Sequence, residues 1–178
     1  IKRTLGSRQK AKKPILINDL KLIIKVIDNK KIRDKALILI GFAGGFRRSE
    51  LVNIDFGDIE FVNEGVKILV KRSKTDQSGE GTIKAIPYFD NQEFCPVTSL
   101  KIYIKEKFTT ETEGKVFDIS DKSVALIIKR YAEKAGLDAS KYAGHSLRSG
   151  FATTAAEFGA EERNIMAMTG HKTTQMVR

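Results

Sequence analysis

Four short segments of this 178-residue chain carry side chains that could bind and act on an anion. In Gly44-Gly45-Phe46-Arg47-Arg48-Ser49-Glu50-Leu51, an arginine follows a glycine turn where a helix begins. The free N–H groups of a helix N-terminus carry partial positive charge, so a guanidinium there adds to a ready anion site. Glu50 lies three residues after Arg47 on the same helical face, within reach to hold that guanidinium. In Gly144-His145-Ser146-Leu147-Arg148, His145 and Arg148 are spaced i and i+3, and they share a face if a helix starts here. A neutral imidazole beside a guanidinium fork suits phosphoryl chemistry, since one group moves a proton and the other holds oxygens. Gly170-His171 supplies the second of only two histidines. Lys71-Arg72-Ser73-Lys74-Thr75-Asp76-Gln77 leads from a strand into a polar turn, from which Lys74 could reach a cleft as a compact acid or phosphate contact.

Each segment alone also has a plain structural explanation. The Arg47–Glu50 pair is equally a surface ion pair at a helix start. His145 is equally a capping residue, and a charged hairpin tip is equally a solvated one. A metal site would require a third ligand beside the two histidines. No Cys, Asp or Glu stands at metal-ligand spacing, so no metal site is expected.

Periodicity indicates the elements that must position these groups. Asn18 is placed to cap a helix running through Asp28, with Leu20, Ile23, Ile24 and Ile27 on its apolar face. A second helix runs from about Ile32 to the Gly44-Gly45 turn, and a short one begins at Ser49. The pattern then changes to strands over Asp58 to Val62, Val66 to Arg72 and Thr82 to Tyr88, separated by polar turns as in an antiparallel meander. Helical spacing returns after Pro96 through Phe108, from Lys122 to Lys134, from Ser146 to Phe158, from Glu161 to Met168, and from Thr173 onward. The expected fold is α+β and mostly helical, with one small three-stranded antiparallel sheet.

Charge narrows the class of partner. Lys and Arg total 32 against 22 Asp and Glu, for a net +10, which suits a nucleic-acid partner without by itself deciding for one. Six of the basic residues (Lys2, Arg3, Arg8, Lys10, Lys12, Lys13) and no acidic ones fall in residues 1–14, so the arm carries more than half of the net charge. Such an arm stays extended and gains free energy by releasing counterions from phosphates; it is equally readable as a solvated linker. The longest apolar run, Ala36 to Phe46, is too short to span a bilayer and contains three glycines, so no membrane association is expected. Cys95 is the only cysteine, which rules out an internal disulfide and suits a reducing cytosol.

Taken in order, the four segments resemble the signature of the tyrosine recombinase/integrase family, and the resemblance spans nearly the whole chain. The family's first arginine box is similar to Gly45-Phe46-Arg47-Arg48-Ser49-Glu50-Leu51, and its hairpin lysine to Lys74. Its His-x-x-Arg box is similar to His145 and Arg148, and its later His/Trp position to His171. The resemblance implies the catalytic-domain fold of these enzymes, with residues 1–14 as a basic interdomain linker and 15–178 as the catalytic domain. It implies that Arg47 and Arg148 clamp the non-bridging oxygens of a scissile DNA phosphate. Lys74 would protonate the departing 5′ oxygen, His145 would assist proton movement at the nucleophile, and His171 would hydrogen-bond a phosphate oxygen. Arg48, Lys71, Arg72 and the six basic residues of the arm are candidate contacts to the DNA backbone. No metal or other cofactor is implied, because the cationic side chains stabilise the charge. Double-stranded DNA is the implied partner, with a homotetramer on DNA in the intact protein and a cytoplasmic, nucleoid-associated location.

Two departures from the family pattern matter. The family's nucleophile is a tyrosine one short helix beyond the His171 position, and the sequence stops at Arg178 before one appears. Tyr88, Tyr103, Tyr131 and Tyr142 all precede that box, and Tyr103 and Tyr131 fall on apolar helix faces as core residues do. The chain as given is therefore expected not to cleave DNA. The N-terminal core-binding domain usual in the family is also expected to lie outside this chain. Two other functions remain open: a DNA-binding fragment without catalysis, and an enzyme resembling type IB topoisomerases, which share the chemistry.

Overall fold

The structure is a computed structural model that describes residues 11–71, 78–110 and 112–159. The helices expected over Glu161 to Met168 and after Thr173 lie outside these residues, as do Lys2, Arg3, Arg8, Lys10, Arg72, Lys74 and His171.

Among the described residues, the segment before the first helix is tied to the body by backbone pairing. Lys13 N–H donates to the Lys141 carbonyl at 2.7 Å and Ile15 N–H to the Ser146 carbonyl at 3.0 Å, with Ile15 fully buried. This tie sets where α1 (Ile17–Lys25) begins, and it corrects two expectations. Asn18 lies inside the helix rather than capping it; Leu16 occupies the cap position with no side-chain bond. The helix also ends at Lys25, not Asp28, because Val26 and Ile27 turn into i→i−3 bonds to Ile23 and Ile24 that bring Ile27 down onto the core.

Helix α2 (Ile32–Ala43) is the central element, buried from Ala36 through Phe42, and it packs against α4 (Pro96–Lys107) and α6 (Ser146–Glu157). Its uninterrupted apolar sequence reflects burial on all sides rather than one stripe. The buried Asp34 of α2 accepts a hydrogen bond from Tyr131 Oη at 2.6 Å on α5 (Asp121–Lys134) and from Arg33. At the end of α2, Gly45 adopts φ +59, a left-handed conformation that a side chain would strain, and the chain turns into α3 (Arg48–Val52).

The sheet is the expected meander in order β1-β2-β3: β1 (Ile59–Val62), β2 (Gly65–Val70) and β3 (Thr82–Pro87), all antiparallel. Val66, Ile68 and Val70 of β2 face the core, opposite Ile86, Lys84 and Thr82 on β3. The period-2 rule thus puts Lys84 inside and Ile83 outside: Lys84 is 3% exposed and Ile83 64%. One close fit positions α6, and one cap sets the start of α5. A Cβ on Gly150 would lie 2.0 Å from the Ile15 carbonyl oxygen, so only glycine lets the arm pass this near the helix. Ser120 caps α5 by accepting from Ser123 N–H, which fixes the helix that lies against α3. Among the described residues no helix is long and apolar enough to cross a membrane.

Candidate active site

Arg47 occupies the N-cap position of α3, held by the carboxylate one turn on. Its backbone N–H donates to Glu50 Oε2 at 2.9 Å and its Nη1 to Glu50 Oε1 at 3.0 Å. The backbone contact is the reciprocal half of a capping box, with Glu at the third helical position satisfying an N–H that the helix leaves free. The side-chain contact is more than a surface ion pair, since Glu50 is buried while the Arg47 side chain keeps a quarter of its surface open. The sequence reading that joined these two residues is correct in geometry.

Arg148 comes to the same place from the far end of the chain. It lies in the first turn of α6 and is 1% exposed, and its Nη1 donates to the Gly45 carbonyl at 3.4 Å and stands 3.9 Å from Glu50 Oε2. A fully buried guanidinium requires a counter-charge and acceptors, and the Glu50 carboxylate and the glycine turn supply both. Burial, and then the neighbouring Arg47, push its pKa down to about 10, so the group stays charged at neutral pH.

His145 immediately precedes α6 at its cap position but makes no side-chain cap bond, so capping does not account for it. It remains open to solvent at one edge. Partial burial, and then repulsion from Arg148, Arg47 and Arg48, lower its pKa below the usual 6.5. The ring is therefore neutral at physiological pH and able to accept a proton. Arg48 points away from Glu50: its Nε lies 3.8 Å from Asp121 on α5, and its stem lies over Gly144, where an added Cβ would fall 2.8 Å from Arg48 Cδ.

The sequence reading missed Lys84. Its ammonium donates to the carbonyls of Gly44 at 2.8 Å and Gly45 at 3.2 Å, stands 3.9 Å from Glu50 Oε2, and lies over the Phe46 ring at 4.5 Å. The signal was available in Thr82-Ile83-Lys84-Ala85-Ile86, where the lysine shares strand phase with Ile86 and faces Ile68. Burial, only partly offset by Glu50, lowers its pKa to about 8.

Of the other predicted residues, Lys71, Lys12 and Lys13 are among those described. Lys71, at the end of β2, contacts the Asp55 carboxylate and lies 3.1 Å from Asp58, and Asp55 also meets Lys115 at 3.1 Å. Lys71 and Glu50 line one cavity of about 330 Å3, with Asn53, Ile54, Leu69, Val70 and Lys115, so the base of the β2–β3 hairpin opens beside the arginine centre. Lys12 donates to the Ser140 carbonyl at 2.7 Å, and Lys13 lies 3.5 Å from Asp19, which docks this part of the arm on the body. Three of the tyrosines serve packing: Tyr103 Oη donates to the Val116 carbonyl at 2.7 Å, Tyr131 to Asp34, and Tyr142 to Asp19 at 3.0 Å. Burial raises the pKa values of Tyr103 and Tyr131 to about 12. Tyr88 contacts Lys101 on α4. Among the described residues, no group of three or more His, Cys, Asp or Glu side chains could hold a metal.

Comparison with known proteins places this arrangement in context. The family model described as "Phage integrase family" matches residues 15–178. The integrase/recombinase xerD homolog of Selenomonas ruminantium is 44% identical over 190 residues, an alignment that takes in 99% of this chain and 56% of that protein. The present chain thus spans little more than half the length of that relative. The crystal structure of XerA recombinase superposes with a TM-score of 0.76 at 20% identity, covering 98% of this chain and 60% of that one. The XerH site-specific recombinase, bound to palindromic difH substrate in a post-cleavage complex, gives 0.75 at 18% identity, covering 95% of this chain and 49% of that one. At these identities the likeness establishes the fold, and that fold is the mostly helical one with a small antiparallel sheet expected from the sequence.

Proposed function

Given that the chain belongs to the phage integrase family, we propose that it is the catalytic domain of a site-specific recombinase that cuts and rejoins double-stranded DNA. The observation that carries this reading is the meeting of Arg47 and Arg148 over one buried carboxylate. Two forked cations converging from separate elements match the non-bridging oxygens of a phosphodiester and stabilise the charge that grows on them in a pentavalent transition state. His145, neutral at the rim, takes the proton of the attacking hydroxyl. Lys74 protonates the 5′ oxygen as its bond to phosphorus breaks, and His171 donates to a phosphate oxygen. The new bond joins phosphorus to a tyrosine oxygen, and the chain continues from that intermediate when a second 5′ hydroxyl attacks and releases the tyrosine.

None of the four tyrosines of this sequence is assigned as the nucleophile in this reading: Tyr103, Tyr131 and Tyr142 are committed to internal hydrogen bonds, and Tyr88 contacts Lys101. Arg48, Lys71, Arg72 and the basic arm contact the DNA backbone, which positions the duplex without reading its sequence. Strand exchange proceeds in a homotetramer of the whole protein on DNA. The test is a nicked suicide duplex offered to this chain and to the full-length protein. A covalent protein–DNA adduct is expected with the full-length protein only; adduct formation by the 178-residue chain alone would refute the assignment of the nucleophile.

A further inference from the structure

We infer that Lys84 is a positioning residue of the DNA-cleavage site: its buried ammonium holds the Gly44–Gly45 turn and the Glu50 carboxylate, and through them sets the placement of the Arg47 and Arg148 guanidinium groups. Among the described residues its surroundings are protein acceptors rather than an open anion site. It lies on the core face of β3 with its three donors turned toward protein, two of them on the carbonyls of Gly44 and Gly45.

Geometry gives that contact its consequence. Gly45 is the left-handed hinge from which the chain rises through Phe46 to Arg47, so whatever fixes its carbonyl fixes the direction in which Arg47 leaves the turn. The same Gly45 carbonyl accepts from Arg148 Nη1, and the same Glu50 Oε2 lies 3.9 Å from both Lys84 Nζ and Arg148 Nη1. Lys84 and Arg148 therefore share one acceptor, the Gly45 carbonyl, and one counter-ion, Glu50, from opposite elements, strand β3 and helix α6. Without the ammonium, the Gly44 carbonyl loses its lysine donor and the Gly45 carbonyl keeps the 3.4 Å contact from Arg148, so the turn is held less firmly beside the backbone bonds of Gly44, Gly45 and Phe46.

A lysine in a core position of a small sheet is costly, since desolvating an ammonium disfavours its charged form. The core neighbours Ile68 and Phe46 do not call for a charge, whereas the Gly44 and Gly45 carbonyls and Glu50 do. The hold on the turn stands on the structure alone; its effect on cleavage rests on the function proposed above.

Two measurements separate these claims. On this chain, amide hydrogen exchange of Phe46 and Arg47, whose N–H groups bond to the Gly41 carbonyl and Glu50 Oε2, is compared among wild type, K84M and K84R. Their exchange should speed up by about 10-fold or more in K84M while strand amides such as Ile68 change by less than about 3-fold, with K84R restoring protection. Uniform acceleration everywhere, or none at the turn, overturns the inference. In the full-length protein, single-turnover adduct formation on a suicide duplex should fall by about 100-fold in K84M with duplex Kd changed by less than about 3-fold, and recover to within about 10-fold in K84R. Wild-type cleavage by a folded K84M overturns the catalytic part. If the wild-type protein itself forms no adduct, the functional reading fails, and the exchange result still decides whether Lys84 holds the turn. Should K84M not fold, K84Q, which keeps a donor without the charge, is read by the same two measurements.

Discussion

Arg47 and Arg148 meet through Glu50: one donates to Oε1 at 3.0 Å while the other stands 3.9 Å from Oε2. A single buried carboxylate is thus the counter-charge for two arginines and for Lys84. Replacing it with the neutral amide in E50Q leaves three cations facing one another with little solvent to screen them. The expected loss is roughly 3–5 kcal/mol of unfolding free energy for this chain, as for other buried ion pairs broken from one side. Urea denaturation measures it; a variant as stable as wild type would mean that the carboxylate is not the keystone of the site.

The placement of α6 depends on how closely the arm passes it. Gly150→Ala puts a methyl 2.0 Å from the Ile15 carbonyl, although alanine favours a helix by about 1 kcal/mol over glycine. The clash is with backbone and not with the end of a flexible side chain. Net destabilisation of roughly 1–3 kcal/mol is expected, with the pairing of Ile15 N–H to Ser146 weakened. Thermal or urea unfolding of G150A that shows a gain in stability would contradict the observed packing.

Lys84 gives a pH signature whose sign is fixed by its lowered pKa. In the unfolded chain the lysine titrates near 10.5 and in the folded chain near 8. Between those values the unfolded state keeps a proton that the folded state has released, so stability rises with pH across the window. Relative to K84M, the wild-type chain should gain roughly 3 kcal/mol between pH 8 and pH 10.5. Urea titrations of both proteins across that range check it; a flat difference would place the ammonium in a wetter site.

His145 predicts the acid side of the activity profile. Its pKa lies below 6.5, so the neutral imidazole persists to more acidic pH than for a free histidine. Cleavage by the full-length protein should hold its rate down to pH 6.5 and decline only below it. H145Q should remove that limb and lower the rate by about 10²–10⁴-fold, the usual range for a positioned proton acceptor. A limb centred above 6.5 would argue against this residue as the acceptor. The same shift makes stability fall as pH drops below 6.5, because the unfolded state takes up the proton first.

Much of the fold was legible because its signals are local. The apolar spacing of Val124, Ile127, Ile128 and Tyr131 places α5, and Gly44-Gly45 marks the end of α2. The alternation in β2 likewise indicates the sheet before any coordinates are known. The Arg47–Glu50 link was legible for the same reason, since i,i+3 residues at a helix start are neighbours by construction. What was not legible depends on tertiary contact. Asn18 looked like a cap, but the pairing of Ile15 with Ser146 starts the helix before it. For Lys84 the strand phase was in the sequence, but its partners were not, because they are the carbonyls of a turn 39 and 40 residues away. Residue type announced that Arg47 and Arg148 were cations of interest, but their shared carboxylate could be seen only once α3 and α6 had been brought together.

The central claim is that the two guanidinium groups act as one clamp on a single phosphate. A double-mutant cycle on single-turnover adduct formation by the full-length protein tests it most directly, using R47A, R148A and the double variant with duplex Kd measured in parallel. Each single change should slow adduct formation by about 10²–10³-fold. The double change should cost far less than the product of the two, because removing either fork already dismantles the shared site. Losses that multiply in full, or a single variant that cleaves at the wild-type rate, would show that Arg47 and Arg148 serve separate purposes.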